Sequence, residues 1–322
     1  LLVVSEAGKV AEAEMMRVLA PRGVLCRRDG KGWTKTVKPW PAEIDEWGHY
    51  LHGADNNAVA QDKKADIPRS IQWVAGPRWG RSHEELASMS AAATAGGRMY
   101  TIEDEAPMAS IRYRSQWALV ARDAFNGVFL WKRPIPVWTD HLRHFRSGPV
   151  HLPRRLVAAG DTLYVTRGLA GPVMALDGAT GKTVLEYANT KRTEEILFLD
   201  GVLYLVLGTS EADRRGGGLH GRDEPKPASF RRIAAFDAKT GKVRWTEDVT
   251  SDGILPLSLA VKGSRLYYQS RTAMVCREAR SGKEVWRTPR QTAAKRMGFS
   301  GPTIVATDDI LLCADQDPAK TN

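Results

Sequence analysis

One motif, recurring four times between residues 119 and 286, constrains this 322-residue chain more than any other feature. The copies are LVARDAFNGVFLW (119–131), VMALDGATGKTVL (173–185), IAAFDAKTGKVRW (233–245) and MVCREARSGKEVW (274–286). Each reads as an alternating apolar strand, an acidic residue, a tight turn closing on Asn-Gly, Thr-Gly or Ser-Gly, and a second short strand ending on a bulky residue. Gly127, Gly181, Gly241 and Gly282 supply the positive φ that such a turn needs. Asp123, Asp177 and Asp237 stand at the turn. Trp131, Trp245 and Trp286 end equivalent strands, with Leu185 in the second copy, and are expected to pack against a neighbouring unit.

A second hairpin precedes each copy: GGRMY (96–100), GDTLY (160–164), DGVLY (200–204) and KGSRLY (262–267), with DDILL (308–312) opening a fifth. The repeating unit is therefore four strands with two tight turns. Tyr164 and Tyr204 are one such unit apart, and the longer steps on either side carry insertions at 103–117, 132–149 and 209–232. Four-stranded units repeated along a chain bury their faces by stacking radially, which predicts a mainly β fold, a β-propeller.

The A-x-D-x-x-T-G-x-x-x-W element with its x-D-G-x-x-Y hairpin resembles the repeat of pyrroloquinoline-quinone (PQQ) dehydrogenases. EWGHYLHGADNNAVA (46–60), followed by Pro68 and Trp73, is similar to the segment that leads into those propellers. The resemblance spans roughly 45–322. It implies a seven- or eight-bladed ring, of which this chain would hold four blades and the start of a fifth, a partial PQQ-type β-propeller cut off before closure. By the same resemblance, a quinoprotein dehydrogenase holds its quinone between a Trp and an adjacent-cysteine disulfide, with calcium and a catalytic Asp. This chain has no Cys-Cys pair, so PQQ with Ca2+ enters through the resemblance alone. The family also favours an extracytoplasmic, periplasmic setting.

The first residues read differently. An apolar run at 1–4, a helix-period stretch AEAEMMRVLA stopped by Pro21, and VLC at 24–26 form a strand, helix, strand order suited to an α/β layer. Glu14 to Gly23 resembles the later half of a class I S-adenosylmethionine (SAM) methyltransferase, with Arg22 where that family usually has Gly. Its Gly-rich cofactor loop has no counterpart here, so the SAM site is not present in this chain. The expected organisation is a methyltransferase remnant at 1–38, a linker and lead-in segment at 39–79, and an incomplete propeller at 80–322. The start lacks an initiator Met and a basic leader, so the true N-terminus is expected upstream.

Composition narrows the partners. A formal charge of +10 raises the question of nucleic acid, but the basic residues are scattered among carboxylates and form no basic helix or recognised module, so none is expected. Cys26, Cys276 and Cys313 are too few and too far apart for a disulfide framework or a metal site, and read as small buried apolar groups. No apolar run is long enough to cross a membrane as a helix.

In a four-stranded blade the two tight turns share one face, so the longer loops share the other, and a ligand is expected there. On that face Trp138, Asp140, His141 and His144, with His83, Glu84, Glu103 and Glu105, could supply imidazoles and carboxylates to a metal, or could be ordinary loop polar groups. At the starts of the inner strands stand Ser88, Met89, Ser90, Arg154, Arg155, Thr193, Glu194 and Glu195. Two carboxylates beside two guanidiniums could bind a polar ligand or a divalent ion such as calcium, or could pair with each other across blades. His141, His144 and Glu194 are the candidate metal ligands. His49, His52 and Asp55 have ligand-like spacing but read as structural. The expected function is a scaffold that binds a small polar ligand or protein partner on the loop-bearing face, within a methyltransferase-propeller fusion. The alternative is a quinoprotein dehydrogenase whose site is incomplete here.

Overall fold

The computed structural model describes the chain apart from residues 7, 9, 65, 68, 78–79, 81–87, 111, 140–151, 209–230, 250–252, 256–257, 291–302 and 315–322. The N-terminal segment forms β1 (Leu2–Val4), α1 (Glu12–Val18), β2 (Val24–Asp29) and β3 (Gly32–Val37). β1 and β2 run parallel with α1 crossing between them, and β3 returns antiparallel to β2. Met15, Leu19 and Leu25 make its small core. Arg22 holds φ 61°, a left-handed conformation that favours Gly. Its side chain lies over Trp40 and reaches Asp161 at 3.3 Å, tying this layer to the tight-turn face of the propeller.

Four four-stranded antiparallel sheets follow, each in chain order. Blade 1 is β4 (Met89–Ala95), β5 (Arg98–Asp104), β6 (Trp117–Asp123) and β7 (Phe129–Pro134). Blade 2 is β8 (Leu156–Ala159), β9 (Thr162–Thr166), β10 (Val173–Asp177) and β11 (Thr183–Glu186). Blade 3 is β12 (Thr193–Leu199), β13 (Val202–Gly208), β14 (Arg231–Asp237) and β15 (Val243–Val249). Blade 4 is β16 (Ala260–Lys262), β17 (Arg265–Gln269), β18 (Ala273–Glu278) and β19 (Glu284–Pro289). A hairpin of β20 (Thr303–Ala306) and β21 (Leu311–Ala314) opens a fifth. The first strands of successive blades touch, β4 to β8, β8 to β12, β12 to β16 and β16 to β20, so they are the inner strands of a common arc. The chain is a partial β-propeller of four blades and the start of a fifth.

The motif residues build the turns. In blade 2 the Asp177 carboxylate accepts from the Thr180 amide at 2.8 Å and the Thr180 hydroxyl at 2.6 Å, while Gly181, at φ +71°, returns its amide to the Asp177 carbonyl. These donors hold Asp177 below the usual carboxylate range, the Thr180 hydroxyl most of all. Asp237 and Thr240 repeat the arrangement in blade 3, and there Arg244 is the largest cause of the lowering. The two tight turns of a blade share a face because one donates to the other, as from Gly178 to the Asp161 carbonyl and from Ala238 to that of Gly201.

The bulky residue joins blade to blade. The Trp131 indole of blade 1 lies on Gly181 of blade 2 and donates to the Gly178 carbonyl at 2.9 Å. Trp245 does the same between blades 3 and 4, on Gly282 and to Ala279 at 2.9 Å. Tyr100 and Tyr204, from the preceding hairpins, pack on Trp131 and Trp245 with ring centres 6.1 and 6.4 Å apart. Blade 2 departs from this. Leu185 covers Gly241, and Tyr187, two residues on, supplies the missing donor, its hydroxyl meeting the Ala238 carbonyl. Trp73 lies on Gly127 and donates to Ala124 at 3.1 Å, so residues around it stand where the outer strand of a preceding blade would. The strands carrying these Trp residues continue past them to Pro134, Val249 and Pro289, where the sequence pattern ended them at the Trp.

The segment from Trp47 to Asn56 crosses all five inner strands. The amides of Thr94 and Ala158 donate to the Trp47 and Gly48 carbonyls, both at 2.8 Å, and the Phe198 amide donates to His49 Nε2 at 3.0 Å. Val261 donates to Ala54 at 2.8 Å and Ala306 to Asp55 at 2.9 Å. An inner strand is a sheet edge with unpaired amides. One hub segment satisfies one such amide in each of the four blades and in the fifth hairpin.

Candidate functional site

Of the inner-strand candidates, Arg154 and Glu195 meet at this hub and pair with each other. Arg154 and Arg155 lie in a short 3-10 turn (Pro153–Arg155) just ahead of β8, not at the start of the strand itself. Arg154 Nη1 pairs with Glu195 Oε1 of blade 3 at 2.5 Å and also donates to Asn56 Oδ1 at 3.2 Å. Both side chains of this pair are buried, at 4% and 2% exposure. Burial pushes the Glu195 carboxyl up, and the Arg154 guanidinium opposes it. The Asn56 amide donates to the Leu259 and Ile304 carbonyls at 2.8 and 2.9 Å, so one side chain bridges blades 2, 4 and 5.

The neighbouring Glu194 faces the other way along the strand and accepts from Arg231 of its own blade at 2.8 Å. Arg231 also donates to the Ile254 carbonyl at 2.8 Å. The Thr193 hydroxyl donates to Thr190 at 2.7 Å, a structural turn bond. Arg155 is fully buried and lies over the ring of Trp138, itself fully buried.

Glu103 and Glu105 stand apart from this cluster. Glu103 is in β5, not in a loop, and faces away from blade 2 with Thr101, whose hydroxyl donates to it at 2.5 Å. Burial pushes its pKa up. Trp73, Met89, Met99 and Arg122 line a space of about 410 Å³ beside it. Glu105 is at the surface, paired with Lys132 at 3.0 Å. Ser88 is buried, Ser90 half-buried and Met89 exposed. His83, Glu84, Asp140, His141 and His144 lie outside the described residues.

His49 is buried and accepts the Phe198 amide, which makes it part of the hub; burial holds its pKa down to about 4. His52 meets Asp45 at 2.7 Å and Asp55 meets Lys262 at 3.1 Å. Cys276 is buried, whereas Cys26 and Cys313 are half-buried, and all three are free thiols. Sequence reasoning passed over Asn56 and Tyr187. Asn56 offered a signal in the ligand-like spacing around it, but its amide donates to backbone carbonyls more than two hundred residues away.

Chemically, the hub is a set of compensated charges. Calcium needs several free oxygen donors. Here Glu195 is held by Arg154, Glu194 by Arg231 and Asn56 by Arg154 and two carbonyls, and no cluster of three His, Cys, Asp or Glu poised for a metal occurs among the described residues. A quinone held over adjacent cysteines also finds no such pair, the three thiols being separate. The described residues do not fit the quinone-calcium centre.

Residues 229–317 match the family model described as outer membrane protein assembly factor BamB. No curated protein sequence matches the chain. Among solved structures, a europium-containing methanol dehydrogenase aligns over 82% of this chain and 52% of its own, at 14% identity and a TM-score of 0.52. A quinohemoprotein alcohol dehydrogenase from Comamonas testosteroni aligns over 84% and 46%, at 12% identity and 0.48. BamB from Moraxella catarrhalis aligns over 68% of each chain, at 15% identity and 0.39. The chain spans about half the length of the two dehydrogenases. The strand order, the seam residues and the methanol dehydrogenase alignment together make this chain a partial PQQ-like β-propeller.

Proposed function

We propose that the chain is a binding scaffold whose loop-bearing face docks a protein partner, within a larger methyltransferase-propeller fusion. One observation carries the reading. The β5–β6 connection lies opposite the tight turns and presents Met108 and Tyr113 to solvent at 53% and 54% exposure, while the inner-strand carboxylates are already held by arginines, Glu195 by Arg154 of the preceding blade and Glu194 by Arg231 of its own. Met and aromatic side chains are enriched where proteins meet, and a small polar ligand does not call for them. The match of residues 229–317 to the BamB model supports a scaffold role, and the parallel β1–α1–β2 unit supports the methyltransferase remnant.

The test is site-specific photocrosslinking in source cells, with the photoreactive residue at Met108 or Tyr113 on one face and at Lys182 or Lys242 on the other. Discrete adducts from the first pair and none from the second are expected. Adducts confined to the turn face would overturn the reading. Quinone-dependent dye reduction by the chain loaded with PQQ and calcium would replace it with the dehydrogenase reading.

A further inference from the structure

The seams between blades share a position two residues beyond the packing residue of the outer strand: Arg133 in blade 1, Tyr187 in blade 2 and Glu247 in blade 3. Tyr187 is wholly buried and fills its seam. Glu247 closes the next by accepting from Arg277 at 2.8 Å. Arg133 spans its seam without filling it: it donates to the Gly181 carbonyl at 3.2 Å and the Thr183 hydroxyl at 2.8 Å of blade 2, and a cavity of about 140 Å³ remains beside it between blades 1 and 2.

The cavity floor is apolar, with Leu119 and Ile135 from blade 1 and Val165 and Leu176 from blade 2. Arg167, just past the end of β9 and mostly exposed, borders the cavity from the blade 2 side. Glu186 stands 3.8 Å from it at the surface, and among the described residues no carboxylate lines the cavity. Two guanidiniums thus border a largely apolar space whose described lining holds no carboxylate. Such forks match a carboxylate in planarity and spacing.

We propose that this seam binds a small carboxylate with a compact apolar body, the carboxylate held by Arg133 and Arg167 and the carbon skeleton lying on Leu119 and Val165. The space equals the share of roughly four or five liquid waters, which suits an acid the size of isobutyrate. The site is independent of the hub and of the loop-face reading.

Isobutyrate titrated into the full chain, followed by methyl NMR, tests this against isobutyramide, which has the same shape and no charge. Saturable shifts centred on Leu119, Val165 and Leu176 are expected for the acid, with the amide at least about tenfold weaker. Arg167→Gln should weaken the acid by a similar factor. Arg133→Tyr, which installs the blade 2 solution, should abolish binding. Shifts that never saturate, that centre elsewhere, or that are equal for acid and amide would overturn the proposal, and the acid-amide comparison decides in the unaltered chain even if a variant fails to fold.

Discussion

Gly181 and Gly201 both hold positive φ, at +71° and +76°, yet differ in what surrounds them. A Cβ on Gly201 would meet nothing within 4 Å, whereas one on Gly181 would stand 2.6 Å from the Trp131 ring. Gly201→Ala should therefore cost only the backbone strain, about 1–2 kcal/mol. Gly181→Ala should add an overpacking penalty of about 1–3 kcal/mol by displacing the indole that joins blades 1 and 2. Urea denaturation of the two variants measures the difference. Tyr187 makes a second residue-scale case. Tyr187→Phe keeps the packing on Phe236 and removes the donor to the Ala238 carbonyl, a loss of about 1–3 kcal/mol by the same assay. Glu195→Ala leaves Arg154 buried and uncompensated and should destabilise by about 3–5 kcal/mol, more than any exposed carboxylate change.

At the scale of elements, His49 gives the hub segment a pH dependence of its own. His49 is held at about 4 in the fold against 6.5 when free. Between those values the unfolded chain takes up a proton that the folded chain refuses, so stability should be full above pH 6.5 and fall as pH drops towards 4. The lost stability reaches roughly 3 kcal/mol at the lower end. Protonation would also remove the acceptor of the Phe198 amide. Thermal melts of the native chain and His49→Gln across this range check the claim; the variant should show a shallower slope. The blades were legible in the sequence because each turn is specified by adjacent residues, Asp177 and Thr180 with Gly181 being one such set. The hub was legible only as a structural segment. Its bonds to Thr94, Ala158, Phe198, Val261 and Ala306 join residues whose local patterns say only that they end strands.

At the scale of the whole molecule, the same limit explains the site. Glu194 and Glu195 were visible as adjacent carboxylates, but alternation along a strand sends them to different partners, Arg231 in the same blade and Arg154 in the preceding one. Which Arg each would meet depends on how blades stack, and no local spacing encodes that. Leu185 was readable as a packing residue; that Tyr187 restores the inter-blade hydrogen bond required the seam to be seen. The central claim is that four blades and a fifth hairpin form one arc pinned along its inner edge by residues 47–56. Hydrogen exchange of the five inner-strand amides tests it most directly. Protection at Thr94, Ala158, Phe198, Val261 and Ala306, lost together when Gly48→Val drives a side chain into the Ala158 carbonyl, is the predicted result. Free-edge exchange rates at Val261 and Ala306 in the unaltered chain would contradict it.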